Sequence, residues 1–539
     1  MGRAVDRHRP ALSRTLARAA LLLAPAIFLG LFFAYPLASI LDAGLRPAGR
    51  LDVSAVVDVL SDTGLRGVIW FTLWQATVST AITLAVGLPA AYALSRFAFR
   101  GRALLRALVL VPFVLPTVVV AMAFAGWRGS LWALFAAHVF FNVAVIVRVV
   151  GSFWSNVDPE LEDAAEGLGA HGIRRFTAVL LPLARPSIVG AAMLVFLFTF
   201  TSFGVVLLLG GPGRATIEVE IFRRTSQLLD LPVAAALSLV QLAFVSALLV
   251  GESLLASRIP LRRQLLAAGV ARPPRTRGER AFVATTAVGL AALVLGPPAR
   301  LAWRSLVGPG GLTLSRYVEL GSVRKGSLLP VSPLEAVANS LRFAAGAAAI
   351  AILVGGIAAF AVAGVRRSSG LWTLVGLPLG VSAVTVGFGY VVAFDATPLD
   401  LRGSSWVVPL AQAVVAIPFV VRIVAPVLGS IGSELAEAAA GLGASPSRVL
   451  RDVTLPIASR ALLGAAVFAF VVSLGEFGAT AFLARADTPT MPIAIFRLLG
   501  QPGSASLGQA EAMSVLLMLV TAAAALAIDR IRVGAFGRM

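Results

Sequence analysis

The sequence of 539 residues contains no cysteine, one lysine, three histidines and only 13% charged residues. Without cysteine there are no disulfides, no thiolate metal ligands and no thiol nucleophile. The histidines, His8, His138 and His171, are too scattered to suggest a metal cluster, and we expect neither a metal nor a cofactor on this chain. The lysine, Lys325, lies in a stretch that lacks the Gly-Lys-Ser/Thr of a phosphate-binding loop. The chain is therefore not expected to be an enzyme.

Hydrophobic residues make up 58% of the sequence, and the mean hydropathy is +0.91. An average soluble domain has about 25% charged residues, so most of this chain is expected to lie in a lipid bilayer. Continuous apolar runs predict helices, because the backbone of an isolated span must satisfy its own hydrogen bonds. At about 20 residues per span, the runs lie near residues 18–42, 67–95, 107–126, 131–150, 187–211, 233–255, 281–300, 340–364, 372–394, 406–428, 461–484 and 508–529.

One pattern occurs twice, 274 residues apart, in charged breaks between apolar runs. Its first copy contains Asp163, Ala164, Ala165, Gly169, Val179, Leu181 and Pro182. Its second copy contains Glu437, Ala438, Ala439, Gly443, Val453, Leu455 and Pro456. Across residues 161–186 and 435–460, 12 of 26 positions are identical without a gap. We therefore predict an all-α membrane protein with about twelve helices in two six-helix repeats, 1–255 and 281–539, joined by a cytoplasmic linker, 256–280.

Six crossings return the chain to its starting side, so both repeats have the same orientation and both repeated loops face one compartment. Arginines mark that compartment as the cytoplasm, together with both termini. They include Arg96, Arg100, Arg102, Arg106, Arg258, Arg262, Arg263, Arg366, Arg367, Arg530 and Arg532. The net charge of +19 also raises nucleic acid as a partner, but arginines at the ends of apolar runs are typical of membrane orientation signals.

Each repeated loop is predicted to be a helix, a glycine turn and a second helix. Asp158 precedes Pro159 as a helix N-cap, and Gly167 and Gly169 end that helix. The paired alanines keep one helix face slim, and Asp163 or Glu437 places a negative charge near the helix start. The alternative is an amphipathic loop that lies on lipid headgroups.

The spacing Glu-Ala-Ala, three residues, Gly, nine residues, Ile-any-Leu-Pro resembles the signature of binding-protein-dependent ABC importer permeases. Asp163 replaces Glu in the first copy, and Val179 and Val453 replace Ile. The resemblance implies the type I importer permease fold in a bacterial cytoplasmic (inner) membrane. It also implies that the two loops seat in a separate ATPase, present in two copies, and that an extracytoplasmic solute-binding protein delivers the substrate. No nucleic acid partner is implied.

Two fused permease domains resemble the thiamine-type and ferric-iron-type importers. The stretches 137–142, 201–204 and 215–218 resemble the thiamine type more closely. Thiamine or a thiamine phosphate is therefore the expected substrate, and ferric iron is the alternative.

Four polar residues within the spans form two pairs at the repeat spacing, His138 with Gln412 and Ser202 with Glu476. A carboxylate within a span is costly, so Glu476 either lines the substrate path and attracts a cation or is a hydrogen-bonded brace. His138 and Gln412 either form interhelical hydrogen bonds or contact substrate.

Two other classes of protein are considered. A secondary transporter can also have twelve helices in two repeats, but it needs no paired docking loops. A membrane-embedded enzyme requires clustered acidic residues or histidines within the spans, and Glu476 alone does not meet that requirement.

Overall fold

The computed structural model describes residues 21–46, 50, 52–211, 213–257, 271–308, 310–324, 326–363, 372, 375–394, 401, 403–431 and 433–536. Within these residues the regular structure is helical, apart from a two-residue antiparallel hairpin, Val307–Gly308 with Gly311–Leu312, and one isolated bridge. The predicted all-α class is confirmed. Lys325 and most of the predicted linker lie outside the described residues.

Ten helices in the described part of the chain are long and apolar enough to cross a membrane. They are Leu21–Leu45, Thr63–Arg96, Leu131–Ser155, Phe176–Phe200, Leu231–Glu252, Arg277–Ser305, Pro333–Val362, Val407–Ser430, Pro446–Leu474 and Ser504–Ala527. A bent pair, Arg102–Val114 with Thr117–Trp127, accounts for an eleventh span, and Ala383–Ala393 is a shorter apolar helix. The chain is therefore a multi-pass membrane protein.

The third span of each repeat, 107–126 and 372–394, was predicted as a continuous helix, and this prediction is wrong. The first is bent by 102° at Leu115, whose ψ of 139° is extended, because a residue that precedes a proline is forced out of the helical region. In the second repeat a 3₁₀ turn, Leu377–Gly380, comes before Ala383–Ala393. The Ser382 hydroxyl starts this last helix by accepting a hydrogen bond from the Thr385 N–H at 3.0 Å.

The fifth predicted spans, 187–211 and 461–484, are also interrupted. Their helices, Leu181–Phe200 and Leu455–Leu474, begin earlier than predicted and end at equivalent positions. Short helices follow each break, Gly204–Leu209 and Thr480–Leu483. Hydropathy did not reveal these breaks because the residues on both sides of them are apolar.

Helix bounds not yet given belong to short helices, to the segments of bent or broken spans, and to the spans that begin at Leu231 and Ser504, which extend further than the apolar stretch. They are Ser54–Ser61, Arg102–Leu108, Val111–Val114, Thr117–Phe124, Ala125–Trp127, Pro159–Gly167, Gly172–Arg175, Ile217–Arg223, Leu231–Ser257, Ser315–Val318, Glu319–Gly321, Ser433–Gly441, Pro446–Val449, Met491–Leu499 and Ser504–Phe536. Four π-helical turns occur in the described residues, at Gly30–Ala34, Phe176–Leu180, Arg224–Leu228 and Leu450–Thr454.

The chain divides into two compact units. One comprises residues 51–319 and 499–518, and the other comprises residues 1–50, 320–498 and 519–539. The first helix of each repeat, Leu21–Leu45 or Arg277–Ser305, falls in the unit that holds most of the other repeat. The compact units are thus not the sequence repeats, whose predicted boundaries at 255 and 281 stay predictions.

In the unit that holds the first copy of the repeated pattern, the helices Thr63–Arg96 and Leu131–Ser155 approach closely at Gly87. A Cβ added there would lie 2.7 Å from the Ile146 Cβ. In the other unit, a Cβ added at Gly355 would lie 3.0 Å from the Val420 Cβ. Small residues allow such close approach between helices in lipid, and each unit uses a glycine at the same position of its repeat.

Candidate functional site

The two repeated loops have the same backbone structure. In the first, the helices Pro159–Gly167 and Gly172–Arg175 precede a π-helical turn, Phe176–Leu180. In the second, Ser433–Gly441 and Pro446–Val449 precede the turn Leu450–Thr454. Every helix in the second loop begins and ends 274 residues after its counterpart in the first. The predicted order of helix, glycine turn and helix is confirmed in both copies.

Asp158 caps the first loop helix as predicted, because its carboxylate accepts a hydrogen bond from the Glu160 N–H at 3.0 Å. At the other end of the helix, the Gly169 N–H donates to the Glu166 carbonyl at 2.9 Å and the Ala170 N–H donates to the Ala165 carbonyl at 2.9 Å. This is a Schellman motif, which requires a left-handed residue just past the helix end.

The second loop has the same turn. The Gly443 N–H donates to the Ala440 carbonyl at 2.9 Å and the Ala444 N–H donates to the Ala439 carbonyl at 3.0 Å. Gly169 and Gly443 both have φ of +84°, a conformation that a Cβ disfavours. The glycine of the repeated pattern is therefore required by backbone geometry.

The Leu-Pro end of the pattern joins each loop to its membrane helix through the π turn. The Leu181 N–H bonds to the Phe176 carbonyl five residues earlier, and the Leu455 N–H does the same with Leu450. The next residue in each case is proline, whose ring clashes with the carbonyl four residues before it in an α-helix. A wider turn moves that carbonyl away, so the proline explains the turn.

Apolar and acidic side chains are exposed on each loop. Leu168 is 89% exposed and Leu442 is 91% exposed, and both lie between two glycines at the tip of the loop. Asp163 and Glu437 are also exposed. Each loop thus presents an apolar side chain at its tip, at the same place in both copies, where it is available to contact another protein.

The side chains beneath the loops differ. Under the first loop, Phe176 packs against Tyr92 and Trp154, with ring centroids 5.0 Å and 5.8 Å away. The Trp154 indole N–H also donates to the Leu180 carbonyl at 3.2 Å. In the second repeat leucines replace Trp154 and Phe176.

The polar residues within the spans form interhelical hydrogen bonds in both repeats. In the first, the His138 ring lies between the Ser79 and Ser202 hydroxyls, at 2.9 Å from each. In the second, the Gln412 side-chain N–H donates to the Thr480 hydroxyl at 3.4 Å, and the Thr480 hydroxyl donates to the Glu476 carboxylate. The predicted pairs, His138 with Gln412 and Ser202 with Glu476, thus occupy equivalent positions in two hydrogen-bond networks.

Glu476 also caps the short helix that follows it. Its carboxylate accepts hydrogen bonds from the Ala479 N–H at 2.7 Å and the Thr480 N–H at 3.0 Å, and the residue is 7% exposed. These contacts match the brace interpretation. A role for Glu476, Ser202, His138 or Gln412 in the substrate path stays a prediction.

Leu168 and Leu442 were not singled out from the sequence, although their position in the repeated Gly-Leu-Gly stretch was a usable signal. The ion pairs that Arg96 and Arg175 form with Glu162 of the first loop were also missed. Within the described residues, no group of three or more His, Cys, Asp or Glu side chains is placed to hold a metal ion.

The fold and the paired loops define a duplicated, multi-pass helical membrane protein of the kind that forms transport pathways. The sequence matches the family described as "Binding-protein-dependent transport system inner membrane component" at residues 83–259 and again at residues 347–533. The chain belongs to this family, with two fused copies of its domain.

Two of three named relatives are similar over most of the chain. The thiamine transport system permease protein ThiP of Salmonella typhimurium is 27% identical over 490 residues, which cover 85% of this chain and 88% of the relative. ThiP of Brucella abortus is 27% identical over 527 residues, covering 92% and 91%. The putative 2-aminoethylphosphonate transport system permease protein PhnV of Salmonella typhimurium is 30% identical over 231 residues, covering 42% and 83%.

Proposed function

We propose that this chain is the permease subunit of an ATP-driven importer and that its two repeated loops couple it to a separate ATPase. The observation that carries the proposal is the duplicated loop itself, in which equal backbones present an exposed leucine between glycines. Two equal loops fit two copies of one partner. The partner is therefore a dimeric ATPase with an apolar cleft in each subunit.

The proposed coupling residues are those of the repeated pattern. The exposed Asp163 and Glu437 contribute negative charge to the docking surface, and the paired alanines keep the helix slim. Gly169 and Gly443 shape the turn, and Pro182 and Pro456 end the loop. Closing of the ATPase on ATP would move the loops and switch the permease between outward-facing and inward-facing states, with the substrate path between the repeats. Both loops and both termini are proposed to be cytoplasmic, on the strength of the arginine distribution.

The proposed substrate is thiamine or a thiamine phosphate, delivered by an extracytoplasmic solute-binding protein. Support comes from relatives that are named thiamine permeases and match along most of both chains. Ferric iron is the alternative. Uptake of labelled thiamine and of ferric iron by a strain that lacks this chain, with and without the chain restored, separates the two.

The docking proposal is tested by copurification from mild detergent. Leu168→Asp and Leu442→Asp place a charge in the proposed apolar contact, and we expect each to reduce recovery of the ATPase strongly without lowering recovery of the permease. Leu312→Asp is the matched control, because Leu312 is 71% exposed on the hairpin and lies outside both loops. Equal ATPase recovery with all three variants would contradict the proposal. Uptake that persists without the ATPase would instead indicate an ion-driven transporter.

A further inference from the structure

The first loop is held to its own unit by a group of four charged side chains, three of which are largely buried. Arg96, the last residue of the helix Thr63–Arg96, forms an ion pair with Glu162 of the loop helix. Arg175, which follows the glycine turn, pairs with Glu162 at 3.6 Å and with Glu166. The side chains of Arg96, Glu162 and Arg175 are 11%, 8% and 6% exposed. The group therefore connects the loop helix, the segment after the turn and a membrane helix.

Arg96 has further contacts that fix its position. Its guanidinium donates to the Trp154 carbonyl at 3.0 Å and to the Val157 carbonyl at 3.1 Å, just before the loop helix begins. One arginine thus binds both the chain entering the loop and the loop helix itself.

The segment that leads into the second repeat holds the main chain of Arg96. The Arg272 N–H donates to the Arg96 carbonyl at 3.1 Å, and the Ala98 N–H donates to the Arg272 carbonyl at 2.9 Å. The Arg272 guanidinium lies 5.2 Å from the centre of the Phe97 ring and pairs with Glu279. The Arg96 side chain therefore extends from a backbone that is bound on both sides.

The second loop has different residues at these positions. At the repeat spacing of 274, Glu162, Glu166 and Arg175 are replaced by Ala436, Ala440 and Val449. The second loop consequently has no charged side chain at these three positions to form the same group, although its backbone is the same.

We propose that Arg96 is a positioning residue that clamps the first coupling loop to the membrane helices, so that the two loops differ in stiffness. The functional part of this inference rests on the proposed function, since it concerns how ATPase motion reaches each repeat. The first loop transmits that motion as one body with the helix Thr63–Arg96. The second loop lacks the charged group, so it deforms further before its membrane helices move.

The test is amide hydrogen exchange on the full chain in lipid nanodiscs. In the wild type, amides of residues 160–175 should exchange more slowly than those of residues 434–449. Arg96→Gln should speed exchange in the first loop by roughly a hundredfold, because it leaves the buried Glu162 carboxylate with only the longer 3.6 Å contact to Arg175. Exchange in the second loop should not change. Arg96→Lys, which keeps the charge, should retain part of the protection.

Three further variants keep the test decisive. Glu162→Gln should also speed exchange. The double variant Arg96→Gln with Glu162→Gln should have a smaller effect than the two single effects combined, as expected for residues in one pair. Arg174→Gln is the matched control, because Arg174 is exposed and lies outside the charged group. Equal acceleration in both loops, or none in the first, would overturn the proposal.

The same variants separate this inference from the proposed function. If the clamp and the docking proposals are both correct, Arg96→Gln should lower substrate uptake per ATP hydrolysed while the ATPase still copurifies. If the exchange results hold but no ATPase binds the loops, the clamp stands and the proposed function fails.

Discussion

The coupling loops of the two repeats have the same backbone, but different side chains support it. Both loops have the same helix bounds, the same turn and the same π-helical junction. The first loop is supported by ion pairs and an aromatic cluster. The second has alanine, valine or leucine in place of Glu162, Glu166, Arg175, Trp154 and Phe176. Glycine and proline determine the backbone of the loop directly. The supporting side chains can therefore diverge while the surface offered to a partner stays the same.

The interiors of the repeats also combine equivalent backbone hydrogen bonds with different side chains. In the first repeat the Thr72 hydroxyl accepts a hydrogen bond from the Ile217 N–H at 3.0 Å, and in the second the Ser340 hydroxyl accepts one from the Met491 N–H at 2.7 Å. These bonds secure equivalent short helices. The neighbouring network differs, since a histidine contacts serine directly in one repeat and a threonine links glutamine to glutamate in the other.

Substitution of Glu476, whose network differs from that of Ser202, has the largest expected effect. Glu476→Gln weakens three hydrogen bonds to a buried carboxylate, two of them from backbone N–H groups, so we expect uptake to fall by about tenfold or more. Membrane abundance should fall less than uptake. Ser202→Ala, at the equivalent position, removes one hydroxyl partner of His138 and should have the smaller effect. Membrane abundance is measured by quantitative immunoblots and compared with uptake rates. Equal losses of abundance and uptake for Glu476→Gln would show that Glu476 is only a structural brace.

A smaller effect is expected at the close contacts between helices. Gly87→Ala and Gly355→Ala place a Cβ 2.7 Å and 3.0 Å from a neighbouring Cβ, and overpacking of this kind destabilises by about 1–3 kcal/mol. Thermal unfolding in detergent should show both losses, with Gly87→Ala the larger. Gly289→Ala is the control, because an added Cβ there meets nothing within 4 Å. A smaller loss from Gly87→Ala in an Ile146→Gly background, which removes the contacted Cβ, than in the wild type would identify the contact as the cause.

The smallest effect is expected at the two turns. Gly169→Ala and Gly443→Ala force a side chain into the left-handed region, at a cost of about 1–2 kcal/mol to each turn. Because the turns are equal, the two variants should weaken ATPase recovery to a similar, partial extent. Gly167→Ala and Gly441→Ala are matched helical controls with open space around the added Cβ. A large difference between Gly169→Ala and Gly443→Ala would show that the loops are not equivalent docking elements.

Much of the loop was predictable because its structure is local. Asp158, Gly169 and Gly443 act within one turn of their position, so their residue types and spacing predicted helix ends. The Glu476 contacts are also local, yet its neighbours are apolar and hydropathy extended a straight span through it. The break at Leu115 was missed for the same reason, although the proline that follows it was a signal.

The sequence by itself determined the class of protein, the duplication, the approximate spans and the form of the two loops. These follow from composition, from a repeat that can be counted and from residues that act on adjacent backbone. Tertiary structure alone decided that Arg96 meets Glu162, that Arg272 binds beside Phe97, and that the first helix of each repeat joins the unit of the other. Such contacts join residues far apart in the chain, and their energy depends on burial and mutual orientation, which neither hydropathy nor spacing encodes.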